Sequence, residues 1–254
     1  MTSTPPLVLM RDIEVAFGGV KAVDRVTVDL HRGEVVALLG HNGAGKSTLI
    51  KCLSGACQPD SGEIWIDGHR ASIGSPRDAR AHHIETIYQT LALADNLDAS
   101  ANLFLGREMR TPLGLLDDAA MTAATRRVIG RLNPNFTKFD VPVSALSGGQ
   151  RQAVAIARAV HFDARILIMD EPTAALGPQE TDMVCTLIRT LRDQGLGIFL
   201  IDHDVHQVKR ICDRAHVMKN GRLVGTVRVA DVSEDDLLEM IIAGRMPASH
   251  AVGH

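Results

Sequence analysis

Short runs that are apolar at every position recur along the chain: Val35-Val36-Ala37-Leu38-Leu39, Ile166-Leu167-Ile168-Met169 and Ile198-Phe199-Leu200-Ile201. A strand covered on both faces needs no polar side, so each run predicts a buried strand. Elsewhere the pattern alternates: Val26, Val28 and Leu30 with Thr27, Asp29 and His31. That period predicts strands with one wet face over 7–17 and 23–30, joined by a turn at Gly18-Gly19, and another over 63–67 with Trp65 packing at a sheet edge. From about 92 to 160 strand-like runs vanish, apolar residues return at helical intervals, and Pro112 and Pro134 punctuate. A helical subdomain inserted in the sheet is expected there.

Between the last two buried strands, Pro178 opens a helix with Met183, Leu187, Ile188 and Leu191 on one face and Gly195 at its end. Buried strands alternating with helices imply a parallel sheet with crossover helices. Asn220-Gly221, between Val217-Met218 and Leu223-Val224, predicts a hairpin with a tight turn. Ser233-Glu234-Asp235-Asp236 starts a last helix that ends near Gly244. The tail 246–254 is expected to fray, with His250 and His254 solvated rather than metal-binding. No internal repeat occurs.

Composition narrows the class. The chain of 254 residues is 45% apolar, 3% aromatic, and carries a formal charge of −3. It has no run of Lys and Arg longer than a pair, so neither a basic nucleic-acid surface nor a polybasic membrane anchor is expected. No apolar run approaches the ~18 residues of a membrane span. Residues 1–6 form a short polar start before a strand, not a signal peptide. Cys52, Cys57, Cys185 and Cys212 lack metal-binding spacing and sit in apolar segments, which predicts reduced core thiols and a cytosolic setting.

The chemistry begins after the first buried strand. Gly40-His41-Asn42-Gly43-Ala44-Gly45-Lys46-Ser47-Thr48 matches the phosphate-binding loop GxxxxGK[ST], and Leu49, Ile50 and Leu53 follow at helical spacing up to Gly55. Glycines let backbone N–H groups close around phosphate oxygens, and the helix N-terminus adds partial positive charge. Lys46 would reach the β and γ phosphates, and the Ser47 hydroxyl would hold Mg²⁺. A nucleoside triphosphate is the expected ligand. Asp170 at the tip of the strand 165–170 suits the Mg²⁺ carboxylate. Glu171, one residue on, is placed to orient or deprotonate the attacking water. Ser147 can N-cap a helix from Gln150 to Val160, with Gly148 and Gly149 exposing its first N–H groups as a second anion site.

GHNGAGKST, LSGGQRQAVAIARA and ILIMDEPTAAL, in that order, resemble the ATP-binding cassette (ABC) ATPases, whose signature sequence is LSGGQ. The similarity covers roughly 7–229. It implies an α/β fold: a P-loop NTPase (RecA-like) core with a parallel sheet, an N-terminal antiparallel β subdomain and an inserted α-helical subdomain. The chain would be a single ABC ATPase domain, with the core in 1–91 and 161–229, the helical signature subdomain in 92–160 and a C-terminal helix and tail in 230–254. ATP and Mg²⁺ are the implied cofactors. By the same resemblance Phe17 stacks on adenine, Gln89 senses Mg²⁺ and the attacking water, Asp170 and Glu171 are the magnesium carboxylate and catalytic glutamate, and His203 is the switch histidine at the γ-phosphate. Ser147, Gly148, Gly149 and Gln150 would cover the γ-phosphate held by a second chain, which implies a dimer, most simply a homodimer, closing on ATP. Gly177 departs from the family, which usually has Asp there to help couple the two sites.

The stretches 102–108 (NLFLGRE) and 18–23 (GGVKAV) are similar to ATPases of bacterial ribose-, xylose- and fructose-type importers. That similarity implies a membrane permease as partner, a solute-binding protein acting through it, and a place on the cytoplasmic face of the inner membrane. Residues 91–97 would face the permease. The alternatives are an ABC subunit for another solute, such as an amino acid, a lipid or an export substrate, and a soluble ABC ATPase, which usually needs a coiled-coil insertion or two cassettes in one chain.

Overall fold

A computed structural model of the chain describes residues 5–247; His250, His254 and most of the tail lie outside them. The fold divides into two compact units, one of residues 1–86, 165–171 and 191–254, the other of 87–164 and 172–190. The second unit takes in most of the helix that starts at Pro178.

The strands of the first unit are β1 (Val8–Phe17), β2 (Val20–Leu30), β3 (Val35–Leu39), β4 (Ser61–Ile66), β5 (His69–Ala71), β6 (Ile84–Ile87, its last residue in the second unit), β7 (Ile166–Asp170), β8 (Gly197–Ile201), β9 (Arg214–Lys219) and β10 (Arg222–Arg228). Four of them make an antiparallel sheet in the order β2-β1-β4-β5, and six make a mixed sheet in the order β10-β9-β3-β8-β7-β6. β3 runs parallel to both β8 and β9, and β7 runs parallel to β8. The runs 35–39 and 197–201 are buried at every residue, as their lack of a polar face requires. Alternating β1 and β2 turn Met10, Ile13, Val26 and Leu30 into one core with Val36, Ile168 and Phe199 from the parallel sheet. Trp65 lies on β4, which has a strand on each side, so it is not at an edge; its indole N–H donates to Glu63 at 3.1 Å and the Arg11 guanidinium stacks on its ring.

Two polar side chains tie the sheets together. Arg214 on β9 pairs with Asp29 on β2 and with Glu34 just before β3, and these carboxylates hold its guanidinium pKa above the ordinary value against the effect of burial. His216, almost fully buried, bonds Thr226 at 2.7 Å and the Asp29 carbonyl at 2.9 Å. The hairpin at Asn220-Gly221 has φ of 49° and 78° at its two turn residues, the left-handed pair that a tight turn demands.

The first unit also holds α1 (Lys46–Leu53) and α2 (Pro76–Ala81). Within the second unit are α3 (Ala99–Phe104), α4 (Asp118–Leu132), α5 (Gly148–His161) and most of α6 (Pro178–Asp193). The first unit resumes with α7 (Val205–Ile211) and ends with α8 (Glu234–Ala243), capped at Ser233 and closed by Gly244. α3, α4 and α5 share a core of Leu103, Phe104, Met121, Ile129, Val154 and Ala157. On α6 the buried face is Val184, Leu187, Ile188 and Leu191, while Met183 is only half-buried. None of the four cysteines forms a disulfide; Cys52, Cys185 and Cys212 are buried, and Cys57 is half-buried against the core. Burial pushes the Cys52 thiol up to about 12.

Candidate functional site

In the first unit β3 delivers the chain into the loop 40–45, and α1 leaves it. Gly40, Gly43 and Gly45 have φ of 149°, 82° and 100°. At two of them glycine is also forced by contact: a Cβ on Gly40 would lie 2.3 Å from the Met218 carbonyl oxygen, and one on Gly45 2.3 Å from that of Ala22. The loop is thus pressed between β9 and the start of β2. Gly221 of the hairpin turn braces it by donating to the Ala44 carbonyl at 3.0 Å. Gly45 is the N-cap of α1, and no side chain caps the helix there. His41, Asn42, Gly43 and Ser47 are exposed on the outer side, Ala44 is buried beneath, and Thr48 is half-buried.

Lys46 folds back over this loop. Its ammonium donates to the carbonyls of Gly40 at 2.6 Å and His41 at 3.2 Å. Two of its three N–H groups are spent on the loop itself, which fixes the direction of the third. Burial lowers its pKa, and the Glu171 and Asp170 carboxylates act against that. The tips of β3 and β7 therefore face each other electrostatically although β8 runs between them.

At the tip of β7, register pairs Asp170 with Ile201 of β8. Glu171 then leaves the sheet with φ of 47°, its N–H bonded to the Ile201 carbonyl. That turn brings its carboxylate to His203, whose Nδ1 lies 2.8 Å from Oε1. An ionised carboxylate only accepts, so the proton of this bond sits on Nδ1. His203 is held in turn by Asp202, whose Oδ1 accepts the backbone N–H groups of His203 at 2.8 Å and Asp204 at 3.0 Å. Asp204 caps α7 through the N–H groups of His206 and Gln207. The sequence pattern did not single out Asp202; it is nearly buried, its Oδ2 has no hydrogen-bond partner, and burial raises its pKa. Burial first, then Glu171, also raises that of Asp170, while Lys46 and Lys51 oppose them. A half-buried carboxylate in that condition gains from a cation. Among the described residues no group of three His, Cys, Asp or Glu could hold a metal by itself. One carboxylate and a hydroxyl suit Mg²⁺ completed by phosphates and water rather than a resident ion in a protein cage.

Phe17, at the end of β1, is 57% exposed and belongs to no core, so its ring face is available for stacking.

The second unit carries the remaining expected residues. Gln89 lies two residues beyond β6 and is exposed. Ser147 caps α5, and the cap is reciprocal: Gln150 N–H donates to Ser147 Oγ while Gln150 Oε1 accepts the Ser147 N–H at 3.1 Å. Gly148 and Gly149 also serve packing, since a Cβ on the first would lie 2.5 Å from Leu176 Cδ2 and one on the second 2.5 Å from Met183 Cε. Gly177 has open space at its Cβ position, so no steric demand excludes a side chain there.

Asn102, fully buried, is a residue the pattern missed as a device. Its Oδ1 accepts from Ala94 N–H at 2.7 Å, and its amide donates to the carbonyls of Ala94, Leu97 and Asp98. Arg151 of α5 reaches Asp95 at 2.7 Å in the same loop. The 91–97 stretch is therefore a held shape.

The ABC transporter family model matches residues 23–174. The chain is 42% identical to the xylose/arabinose import ATP-binding protein of Sulfolobus acidocaldarius, over 92% of its own length and 93% of that protein. It is 41% identical to the fructose import ATP-binding protein of Rhizobium meliloti, over 97% and 98% of the two chains. A solved structure described as an ATP binding subunit of an ABC transporter superposes with a TM-score of 0.75 at 27% identity, covering 93% of this chain and 99% of the other. With the family model matched over more than half of the chain and both relatives matched over nearly their whole length, the chain belongs to the ABC transporter family.

Proposed function

We propose that the chain is the ATP-hydrolysing subunit of an ABC importer that moves a monosaccharide through a separate membrane permease. The family supports ATP binding, and the two sugar-import relatives, each matched over nearly its whole length, support the cargo class. The observation that carries the hydrolytic role is the Glu171–His203 contact beside Asp170.

The amides of 43–48 and the third N–H of Lys46 would bind the β and γ phosphates, Phe17 would stack on adenine, and Ser47 and Asp170 would hold Mg²⁺. When bound, that ion neutralises charge on the phosphate oxygens. Glu171 takes a proton from water as the water oxygen bonds to the γ phosphorus, and the bond to the bridging β–γ oxygen breaks, leaving ADP and phosphate. His203 keeps the Glu171 carboxylate aimed. Ser147, Gly148, Gly149 and Gln150 of a second copy cover the γ-phosphate, so two chains pair about two ATPs. The dimer docks its 91–97 loops on the permease at the cytoplasmic face of the membrane, downstream of a solute-binding protein. No helix among the described residues is long and apolar enough to cross a membrane.

Glu171→Gln tests the reading. ATP affinity is expected to persist while turnover falls by about 10²–10⁴. Unchanged turnover would remove Glu171 from its role. Stimulation of hydrolysis by a sugar-loaded binding protein, with the co-purified permease in membranes, tests the cargo.

A further inference from the structure

Glu171 and His203 both hang from one dipeptide at the end of β8. The Ile201 carbonyl accepts the N–H of Glu171 at 2.8 Å. Asp202, the next residue, accepts the N–H of His203 at 2.8 Å and that of Asp204 at 3.0 Å, both on Oδ1. The first bond sets where Glu171 leaves β7, and the other two set the turn that carries His203. α7 does not rely on Asp202 for its start, since Asp204 Oδ1 accepts from His206 N–H at 2.9 Å and Gln207 N–H at 3.3 Å. Asp202 is 4% exposed, and its second oxygen, Oδ2, is buried without a hydrogen-bond partner. A buried carboxylate half without partners costs folding free energy. What the residue provides in return is one oxygen that holds two successive amides.

We propose that Asp202 is a positioning residue for hydrolysis: through Oδ1 alone it fixes the turn 202–204, and with it the reach of His203 to the Glu171 carboxylate. This rests on the reading of Glu171 and His203 in the previous subsection. The side chain of His203 is 66% exposed, so packing around the ring does not direct it. Its aim comes from the backbone that bears it and from the bond to Glu171 at 2.8 Å. Released from Oδ1, the two amides turn to water and the ring samples positions out of reach of Glu171, where a hydrogen bond weakens steeply with distance and angle. The property required is an acceptor at Oδ1 rather than a charge, because an amide oxygen in the same place accepts the same two N–H groups.

The test compares full-length Asp202→Asn and Asp202→Ala with the native chain in steady-state hydrolysis of MgATP. Asp202→Ala is expected to lower kcat about tenfold with KM within about twofold, short of the ~10²-fold that complete misplacement costs. Asp202→Asn keeps the acceptor and should hold kcat within about threefold. Asp202→Ala/His203→Ala should be no slower than His203→Ala, because residues acting as one unit do not add. In Asp202→Ala amide exchange should quicken at 203–204 while 208–211 in α7 keep their protection. Native kcat in Asp202→Ala, or a further loss in the double variant, overturns the proposal and leaves the roles of Glu171 and His203 standing. A tenfold loss in Asp202→Asn overturns it alone, whether or not the alanine variant folds. Native kcat in His203→Ala overturns the role of His203 and the proposal together.

Discussion

Glu171 and His203 meet at 2.8 Å from the tips of adjacent parallel strands, 32 residues apart in the chain. The contact joins a backbone in the left-handed region at Glu171 to a turn whose amides are tied by Asp202. In the proposed role, a carboxylate so held would spend no freedom on finding the water it is to activate.

His203→Ala should therefore lower ATP turnover about 10²-fold with ATP affinity little changed, because a loosely aimed base costs about that much. Steady-state hydrolysis and equilibrium binding of a fluorescent analogue separate the two effects. Equal loss of affinity would place His203 in binding rather than in aiming Glu171.

Gly43 and Gly45 share a positive φ but not a neighbourhood. Nothing lies within 4 Å of a Cβ on Gly43, whereas one on Gly45 would strike the Ala22 carbonyl oxygen at 2.3 Å. Gly43→Ala should cost ~1–2 kcal/mol of backbone strain alone. Gly45→Ala adds overpacking of ~1–3 kcal/mol on top. Urea unfolding of the two variants checks the order.

Asn102→Ala leaves the Ala94 N–H without its acceptor and takes one donor from each of the Ala94, Leu97 and Asp98 carbonyls, which keep the backbone N–H groups of Leu97, Val143 and Asn102. A loss of about 3 kcal/mol in unfolding free energy is expected, within what unmade buried bonds cost. Hydrogen exchange at 91–98 should quicken more than in the core of α5. Protection left intact there would show that the loop is held by other means.

His216 gives stability a pH dependence. Burial lowers its folded pKa, against the opposing effects of the Asp29 carbonyl, Asp29 and Glu34, while Arg214 adds to burial. The unfolded chain, with an ordinary value near ~6.5, then takes up a proton first as the pH falls. Stability is fully present above that pH and is lost as the pH drops through the depressed folded value. The urea midpoint should decline between pH 7.5 and pH 5.5 in the native chain and decline less in His216→Gln. Parallel curves would remove His216 as the cause.

How much of this was legible before folding follows the range of the forces involved. Buried strands 35–39 and 197–201 were readable from apolar runs, and the hairpin at Asn220-Gly221 from its two turn residues, because each is dictated by its own neighbours. Ser147 was readable as a cap for the same reason. Trp65 was misplaced because strand order depends on β5, a strand of three residues with no apolar signal. Asn102 and Asp202 were not identified as devices, since each acts on backbone amides and carbonyls, and those groups are the same in every residue.

The order of residues by itself determined the phosphate loop, the alternation of buried strands with helices, and the membership that three motifs in sequence imply. All are local patterns of shape, charge and backbone freedom. Only the tertiary structure decided that β8 lies between β3 and β7, and so that Glu171 closes on His203 while Lys46 feels both acids. Strand order and register are set by how distant apolar faces pack, and that balance is spread over the whole core rather than written at any one position.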